Sequence, residues 1–383
     1  MSALRDWPFF DESHRSFAAA FGAWVERSLG QFANEEGGDG VAARAIFKLL
    51  GEAGWLQPTI ELNDGRIDLR RVALMREILA YSSAIADVAF SEPWLAVLPI
   101  ALHGDAAQKQ RYLTPYATGA CLPAFALSEP EAGSDVASIQ ATGAPAGDGF
   151  VLNGRKTWTS NSGLADLYVA FARSEEGSGA HGISAFLVGG ADAGVVLEER
   201  LRVLPPHTVG TLRFENCRVG AAALLGERGR GFAIAMQVLE LFRPTVAAAT
   251  VGFARRAFDE ARQRSTQRVA FKKPIAEHQL IQQKLADMAV KIDAAALLTY
   301  RATWAHDHGD PSIGCAAAMA KLYASESAQQ VVDEALQIFG GMGVVHGTAV
   351  ERLYRHVRAF RIFDGTSEIQ RLIIAKHLLK SLS

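Results

Sequence analysis

The sequence predicts a multidomain chain, α-helical at both ends with a β domain between them. Three observations carry this. Apolar residues recur at helical spacing up to about residue 120; they then fall into short runs divided by turn residues; from Gly229 onward long helical stripes return. At 383 residues the chain is long for one domain, and the changes of period divide it into 1–120, 121–226 and 227–383. Apolar residues, at 49%, are enough for sizeable cores. A formal charge of −2 gives no basis for a nucleic-acid surface or an anionic membrane partner. No apolar run approaches the roughly 20 residues of a membrane span. The N-terminus, with Trp7, Phe9 and Phe10 among charges, is not a signal peptide. Cys121, Cys217 and Cys315 lie far apart without metal-ligand spacing. They read as inert thiols of a reducing cytoplasm, and no metal is expected.

In the first segment Phe17, Phe21, Trp24, Val25 and Leu29 mark one helix, and Val72, Met75, Ile78 and Leu79 another. Gly54 and Asn63-Asp64-Gly65 punctuate them, and His103, just before Gly104, reads as a helix-end residue. In the middle segment Asn153-Gly154 between two strand-like runs predicts a two-residue hairpin. Further short runs are 167–171, 183–188, 195–197 and 211–214, with Glu176-Gly177-Ser178-Gly179 as a turn. Such strands predict an antiparallel barrel or sandwich. In the last segment Ile281, Leu285, Met288, Ile292 and Ala295 form one stripe. Met319, Tyr323 and Ser327, then Val331, Ala335 and Ile338, form another. Long helices with short connections suit an antiparallel bundle. Pro244 is expected to kink or break the first of them.

The stretch Arg361 to Gln370 carries the clearest chemistry. Ile362-Phe363 delivers a carboxylate, Asp364, to Gly365, which permits a sharp turn. Thr366 or Ser367 then caps a new helix from Glu368 to Leu379. A carboxylate flanked by apolar residues at a helix mouth has a fixed direction and a tunable affinity for protons, as a general base requires. Asp-Gly is also ordinary turn chemistry.

Three segments converge with this stretch: Phe125 to Asp135 (FALSEPEAGSD), Asn153 to Gly163 (NGRKTWTSNSG) and Gln337 to Gly343 (QIFGGMG). Together and in this order they resemble the acyl-CoA dehydrogenase family of flavoproteins across nearly the full chain. The resemblance implies an N-terminal helical domain, a middle antiparallel β-barrel and a C-terminal four-helix bundle. It implies bound FAD, an acyl-CoA substrate, an electron-transfer flavoprotein as acceptor and a homotetramer. Phe125, Leu127, Ser128, Trp158 and Thr159 fall in the segments that line the flavin, and Ser160 at a hydroxyl near its N5. Ser134 matches a residue near both the pyrophosphate and the acyl-CoA. Arg268 and Phe271 resemble residues that reach the FAD of a neighbouring subunit. Gln279, Gln337, Gly340, Gly341, Thr366 and Glu368 fall at other FAD-contact positions. For the substrate, Glu240 and Arg243 match a segment near the CoA nucleotide, and Phe363 and Gly365 flank the thioester. Asp364 takes the place of the base that removes the α-proton, while the β-hydride goes to the flavin.

Many members of the family carry glutamate where this chain has Asp364, which is shorter by one methylene. A second family arrangement puts the glutamate just before the arginine matched by Arg243, where this chain has Phe242; Phe242 is expected to shape the acyl cavity. Glu240 is expected to face away from Arg243 on the helix. The loop Leu204 to Gly210, with His207, is atypical for the family, and His207 reads as a surface residue or a substrate-loop contact. These departures leave open a carrier-protein thioester as substrate, oxidase or monooxygenase chemistry, and a non-catalytic FAD-binding paralogue.

Overall fold

The computed structural model describes residues 6–32, 40–174 and 179–380, so that Glu176, Gly177 and Ser178 of the expected turn lie outside the described residues. Its elements in order are α1 (Glu12–Leu29), α2 (Val41–Glu52), β1 (Leu62–Asn63), β2 (Arg66–Ile67), α3 (Leu69–Ser82), α4 (Ala84–His103) and α5 (Ala106–Ala117). The strands β3 (Pro123–Ala126), β4 (Thr142–Ala146), β5 (Gly149–Ser160), β6 (Leu167–Arg173), β7 (Ile183–Gly189), β8 (Val195–Leu201), β9 (Val209–Gly220) and β10 (Leu224–Leu225) follow. Then come α6 (Gly231–Gln267), β11 (Val269–Ala270), β12 (Lys273–Pro274), α7 (Gln279–Asp307), α8 (Ile313–Phe339), α9 (Ala349–Ala359) and α10 (Ser367–Lys380). Compactness groups them into two units. One takes α1, α3 and the chain from Glu240 onward; the other takes α2, β1, β2 and Val88–Leu239.

The first unit is a helical assembly in which α7 packs along α8, and α8 also meets α9 and α10. Helix α8 buries a face of small residues, Ala317, Ala320, Ala324, Ala328, Val331 and Ala335, while Tyr323 of the expected stripe is turned outward. Ionic contacts join the helices in the interior. Arg76 grips Asp87 through Nε (2.9 Å) and Nη2 (2.8 Å), with both side chains buried. Glu77 pairs with Arg255 at 2.9 Å and accepts the Tyr300 hydroxyl. Asp11 and Asp68 cap α1 and α3, and His14 bridges them. His14, Asp68 and Asp307 cluster closely, but Asp307 accepts from the N–H groups of Leu69 and Arg70 and from Arg70 Nε, so its oxygens are already committed. Of the kink or break expected at Pro244, the break does not occur: α6 continues past it as one helix.

In the second unit β1 and β2 pair with each other, and β3 to β10 form one eight-stranded sheet in the order β10-β7-β6-β4-β5-β9-β8, with β3 paired to β6. Its pairs are antiparallel except that β3 runs parallel to β6 and β4 meets β6 in parallel at Thr142 and Arg173, a departure from the all-antiparallel expectation. Ala126, Leu152, Tyr168, Phe186, Leu212 and Phe214 are among the residues that fill its core. The hairpin expected at Asn153-Gly154 is also corrected: β5 runs straight through both residues, and its turn from β4 lies at Gly147-Asp148. Gly154 serves a different need. Its φ is +136°, and a Cβ there would come within 2.6 Å of Ala141. The register shift at this point is held by Asn153 Oδ1, which accepts from the N–H of Asn216 at 2.7 Å.

Two helices, α4 and α6, are long and apolar enough to cross a membrane, contrary to the sequence expectation. Their most apolar windows are 83% and 72% buried within the protein, as core helices are. The cysteines are free thiols, and burial pushes those of Cys121 and Cys217 up to about 11, away from nucleophilic character.

Candidate active site

The segment between α9 and α10 makes the turn that the sequence predicts. Phe363 packs its ring 4.7 Å from Phe360, which meets Phe253 of α6 at 5.4 Å. The chain then enters the left-handed region twice, at Asp364 (φ +57°) and Gly365 (φ +91°). Aspartate tolerates that region better than most side chains. Glycine suits position 365 because a side chain is strained at this φ, and a Cβ would also displace Gln370 Nε2, 2.6 Å away. Thr366 Oγ1 accepts from the N–H of Ile369 at 3.3 Å and caps α10. Ser367 donates to Glu326 of α8 at 2.6 Å, and Arg361 pairs with the same carboxylate at 2.9 Å. Glu368 is exposed in the first turn of α10, its carboxyl pulled down by its own backbone N–H and by the Thr366 hydroxyl.

Three consecutive carbonyls of this turn are held by two cations. Lys321 Nζ on α8 donates to Phe363 O at 2.9 Å and to Gly365 O at 2.8 Å. Arg243 Nε on α6 donates to Asp364 O at 3.1 Å. Gln370 Nε2 adds a bond to Gly365 O at 2.8 Å. Lys321 is fully buried, and burial pulls its ammonium down to about 8 against the attraction of Asp364. Burial likewise lowers Arg243, opposed by Asp364 and Glu240, and raises Glu240, opposed by Arg243. Glu240 therefore does not face away from Arg243 as expected; three residues apart, the two share a helix face. Its carboxylate fits against α8 because position 314 is glycine, where a Cβ would lie 2.3 Å from Oε1. Phe242 is buried, with the Arg76 guanidinium 4.9 Å over its ring.

In the sheet unit a second set of candidates comes together. The Thr157 N–H donates to Ser128 O at 2.9 Å, which fastens the Leu127-Ser128 segment to β5. Lys156 Nζ, fully buried, donates to Leu127 O at 3.0 Å and to Glu129 Oε1 at 2.7 Å. Glu129 also accepts the N–H groups of Gln140 and Ala141. Burial pulls Lys156 down to about 8, with Glu129 opposing it. Phe125 packs with its ring tilted against Phe171, centroids 4.9 Å apart, and Ser134 stands exposed on the turn beyond. Between Lys156 and Thr159 the register of β5 shifts again. Trp158 sits in this irregularity at φ +55°, with its indole 60% exposed although it is a large aromatic in a strand. Thr159 Oγ1 beside it is buried without a protein partner. Ser160 Oγ donates to Glu92 of α4 at 2.6 Å and contacts His207 Nε2 at 2.9 Å, so His207 is a partner of Ser160.

The remaining candidates stand outward on the helical unit. Phe271 is 90% exposed at φ +50° on the β11–β12 hairpin, next to exposed Arg268, and Gln279 opens α7. Gln337 is exposed near the end of α8. Gly340 and Gly341 follow it, where a Cβ would meet nothing within 4 Å. These residues fit FAD. In the sheet unit an exposed indole and an orphaned buried hydroxyl suit the ring; in the helical unit open glycine backbone and an arginine suit phosphate oxygens. Sequence reasoning missed Lys156, Lys321, Glu129 and Glu92, which hold the candidate segments in place.

Comparison with known proteins agrees along nearly the whole chain. Residues 11–120, 124–217 and 229–379 match the models of the acyl-CoA dehydrogenase N-terminal, middle and C-terminal domains. The human mitochondrial short-chain specific acyl-CoA dehydrogenase is 39% identical over 376 residues, 97% of this chain and 91% of that protein. A 3-(aryl)acrylate reductase from Clostridium sporogenes is 36% identical over 378 residues, 97% of this chain and 100% of the relative. The solved butyryl-CoA dehydrogenase of Megasphaera elsdenii superposes with a TM-score of 0.90 at 33% identity, covering 97% of this chain and 99% of that one. The fold, the cofactor-fitting residues and these likenesses together establish that the chain belongs to the acyl-CoA dehydrogenase family of FAD-dependent oxidoreductases.

Proposed function

We propose that this chain dehydrogenates the α,β-bond of an acyl-CoA thioester, with Asp364 as the base that takes the α-proton. Bound FAD supplies the acceptor for the β-hydride. The observation that carries this is the hold of Lys321 and Arg243 on the carbonyls at 363, 364 and 365. In a planar trans peptide the N–H of one residue points opposite to the carbonyl before it. With the Phe363 carbonyl fixed on Lys321, the Asp364 N–H is aimed the other way, fixed as a donor for a thioester carbonyl. Such a donor stabilises the negative charge that develops as the α-proton leaves. Asp364 itself is held in one backbone conformation, as a base of defined direction requires.

A short acyl chain is the first candidate, because two of the relatives above are named for a short-chain and a butyryl thioester. Aspartate in place of glutamate draws the carboxylate back by up to about 1.5 Å, and the substrate is held correspondingly closer. Electrons leave through an electron-transfer flavoprotein. The subunits form a tetramer, a reading supported by the exposed Phe271 hairpin, and work in the cytoplasm. Anaerobic titration of the flavin-loaded protein with straight, branched and cyclic acyl-CoAs tests the proposal. Bleaching of the flavin by one class, lost in Asp364→Asn, is the expected result. No bleaching by any CoA thioester, with flavin bound, sinks it in favour of a carrier-protein thioester or oxygen chemistry.

A further inference from the structure

The Ser160 hydroxyl has a single proton, and it is given to Glu92 across 2.6 Å. The contact of 2.9 Å between His207 Nε2 and the same oxygen must therefore be an N–H donating to Ser160, which assigns the imidazole to the Nε2-protonated tautomer. The three side chains come from α4, the end of β5 and the β8–β9 connection. Each is stiffened locally: Pro93 follows Glu92, Pro205-Pro206 precede His207, and Ser160 is buried. With its proton committed and one lone pair occupied, Ser160 has only an acceptor position left.

We propose that Glu92 and His207 are positioning residues that make Ser160 a hydrogen-bond acceptor, and not a donor, toward the flavin. The inference rests on the reading that Ser160 lies beside flavin N5. That nitrogen is an acceptor in oxidised flavin and carries a proton in fully reduced flavin, so a hydroxyl barred from donating favours the reduced form.

The test is the midpoint potential of the flavin-loaded protein for wild type, Glu92→Leu, Ser160→Ala and the double variant. Glu92→Leu frees the Ser160 proton and is expected to lower the potential by a tenfold change in the reduced-to-oxidised ratio, about 30 mV for a two-electron couple. The double variant is expected to match Ser160→Ala, because Glu92 acts through Ser160. Loss of a negative charge by itself moves the potential upward; a rise, or an effect that persists in the Ser160→Ala background, overturns the proposal. A potential altered by Ser160→Ala but unmoved by Glu92→Leu overturns the proposal alone, whereas Ser160→Ala without effect on potential or flavin absorbance overturns the reading of Ser160 with it. One measurement needs no variant: imidazole ¹⁵N shifts of His207 in the wild-type protein are expected to report the Nε2-protonated form, and the Nδ1-protonated form contradicts the hydrogen-bond chain.

Discussion

Arg243 Nε donates to the backbone carbonyl of Asp364 across 3.1 Å, so a side chain of α6 fixes the peptide that follows the proposed base. A hydrogen bond from a charged donor contributes about 1.5–3 kcal/mol. Arg243→Gln is therefore expected to lower kcat/KM by about 10- to 100-fold. Steady-state kinetics alongside flavin content per chain check this; an equal loss of flavin would show that Arg243 acts elsewhere.

Lys321 sets opposite pH trends for stability and activity. Its ammonium lies at about 8 in the folded chain, below the ordinary 10.5, because burial outweighs the attraction of Asp364. Between those values the unfolded chain holds a proton that the native chain has released, so stability is expected to rise with pH there. Lys156, also pulled to about 8 by burial, acts in the same direction. Urea midpoints are expected to increase from about pH 7.5 to 9.5, and less so in Lys321→Met. Activity is expected to fall over the same interval, because a neutral amine holds the Phe363 and Gly365 carbonyls less firmly. The pH profile of kcat/KM should show an alkaline limb near pH 8, replaced in Lys321→Met by a lower, flat profile.

The buried pair of Lys156 and Glu129 holds the Leu127-Ser128 segment to β5. Removal of one partner strands the other charge, at a cost of about 3–5 kcal/mol. Lys156→Met is expected to lower the denaturation midpoint accordingly and to weaken flavin retention on gel filtration. Lys156→Met combined with Glu129→Leu should recover part of the stability but not the retention, since the Leu127 carbonyl stays unheld.

Gly365→Ala meets both a positive φ and Gln370 Nε2 at 2.6 Å. The strained backbone alone costs of order 1–3 kcal/mol. The turn is expected to rearrange, with kcat falling well below wild type while far-UV circular dichroism stays unchanged. Activity near wild type would show that the turn tolerates displacement.

What could be read from the sequence was what neighbouring residues decide. The helix–strand–helix change of period, the sharp turn at Asp364-Gly365 and the Thr366 cap all depend on residues a few positions apart. Asn153-Gly154 misled because the demand for glycine comes from Ala141 on the approach to β4, a contact that no hairpin rule contains. Lys156 and Lys321 were passed over because a lysine in a strand or helix reads as a solvated face, and only the packed chain shows which carbonyls surround it. Glu240 and Arg243 share a helix face because they are three residues apart, a spacing that the sequence itself contains. Pro244 does not end α6, which runs as one helix from Gly231 to Gln267 with one backbone donor missing.

The carbonyls at 363, 364 and 365 are tied to side chains of α6, α8 and α10 rather than to one another. The turn thus has no hinge of its own. To move Asp364 is to move one of the three helices that hold its turn, and a change along their packed faces can reach the proposed base as a displacement of its backbone. Substitutions that tune this site need not lie near it.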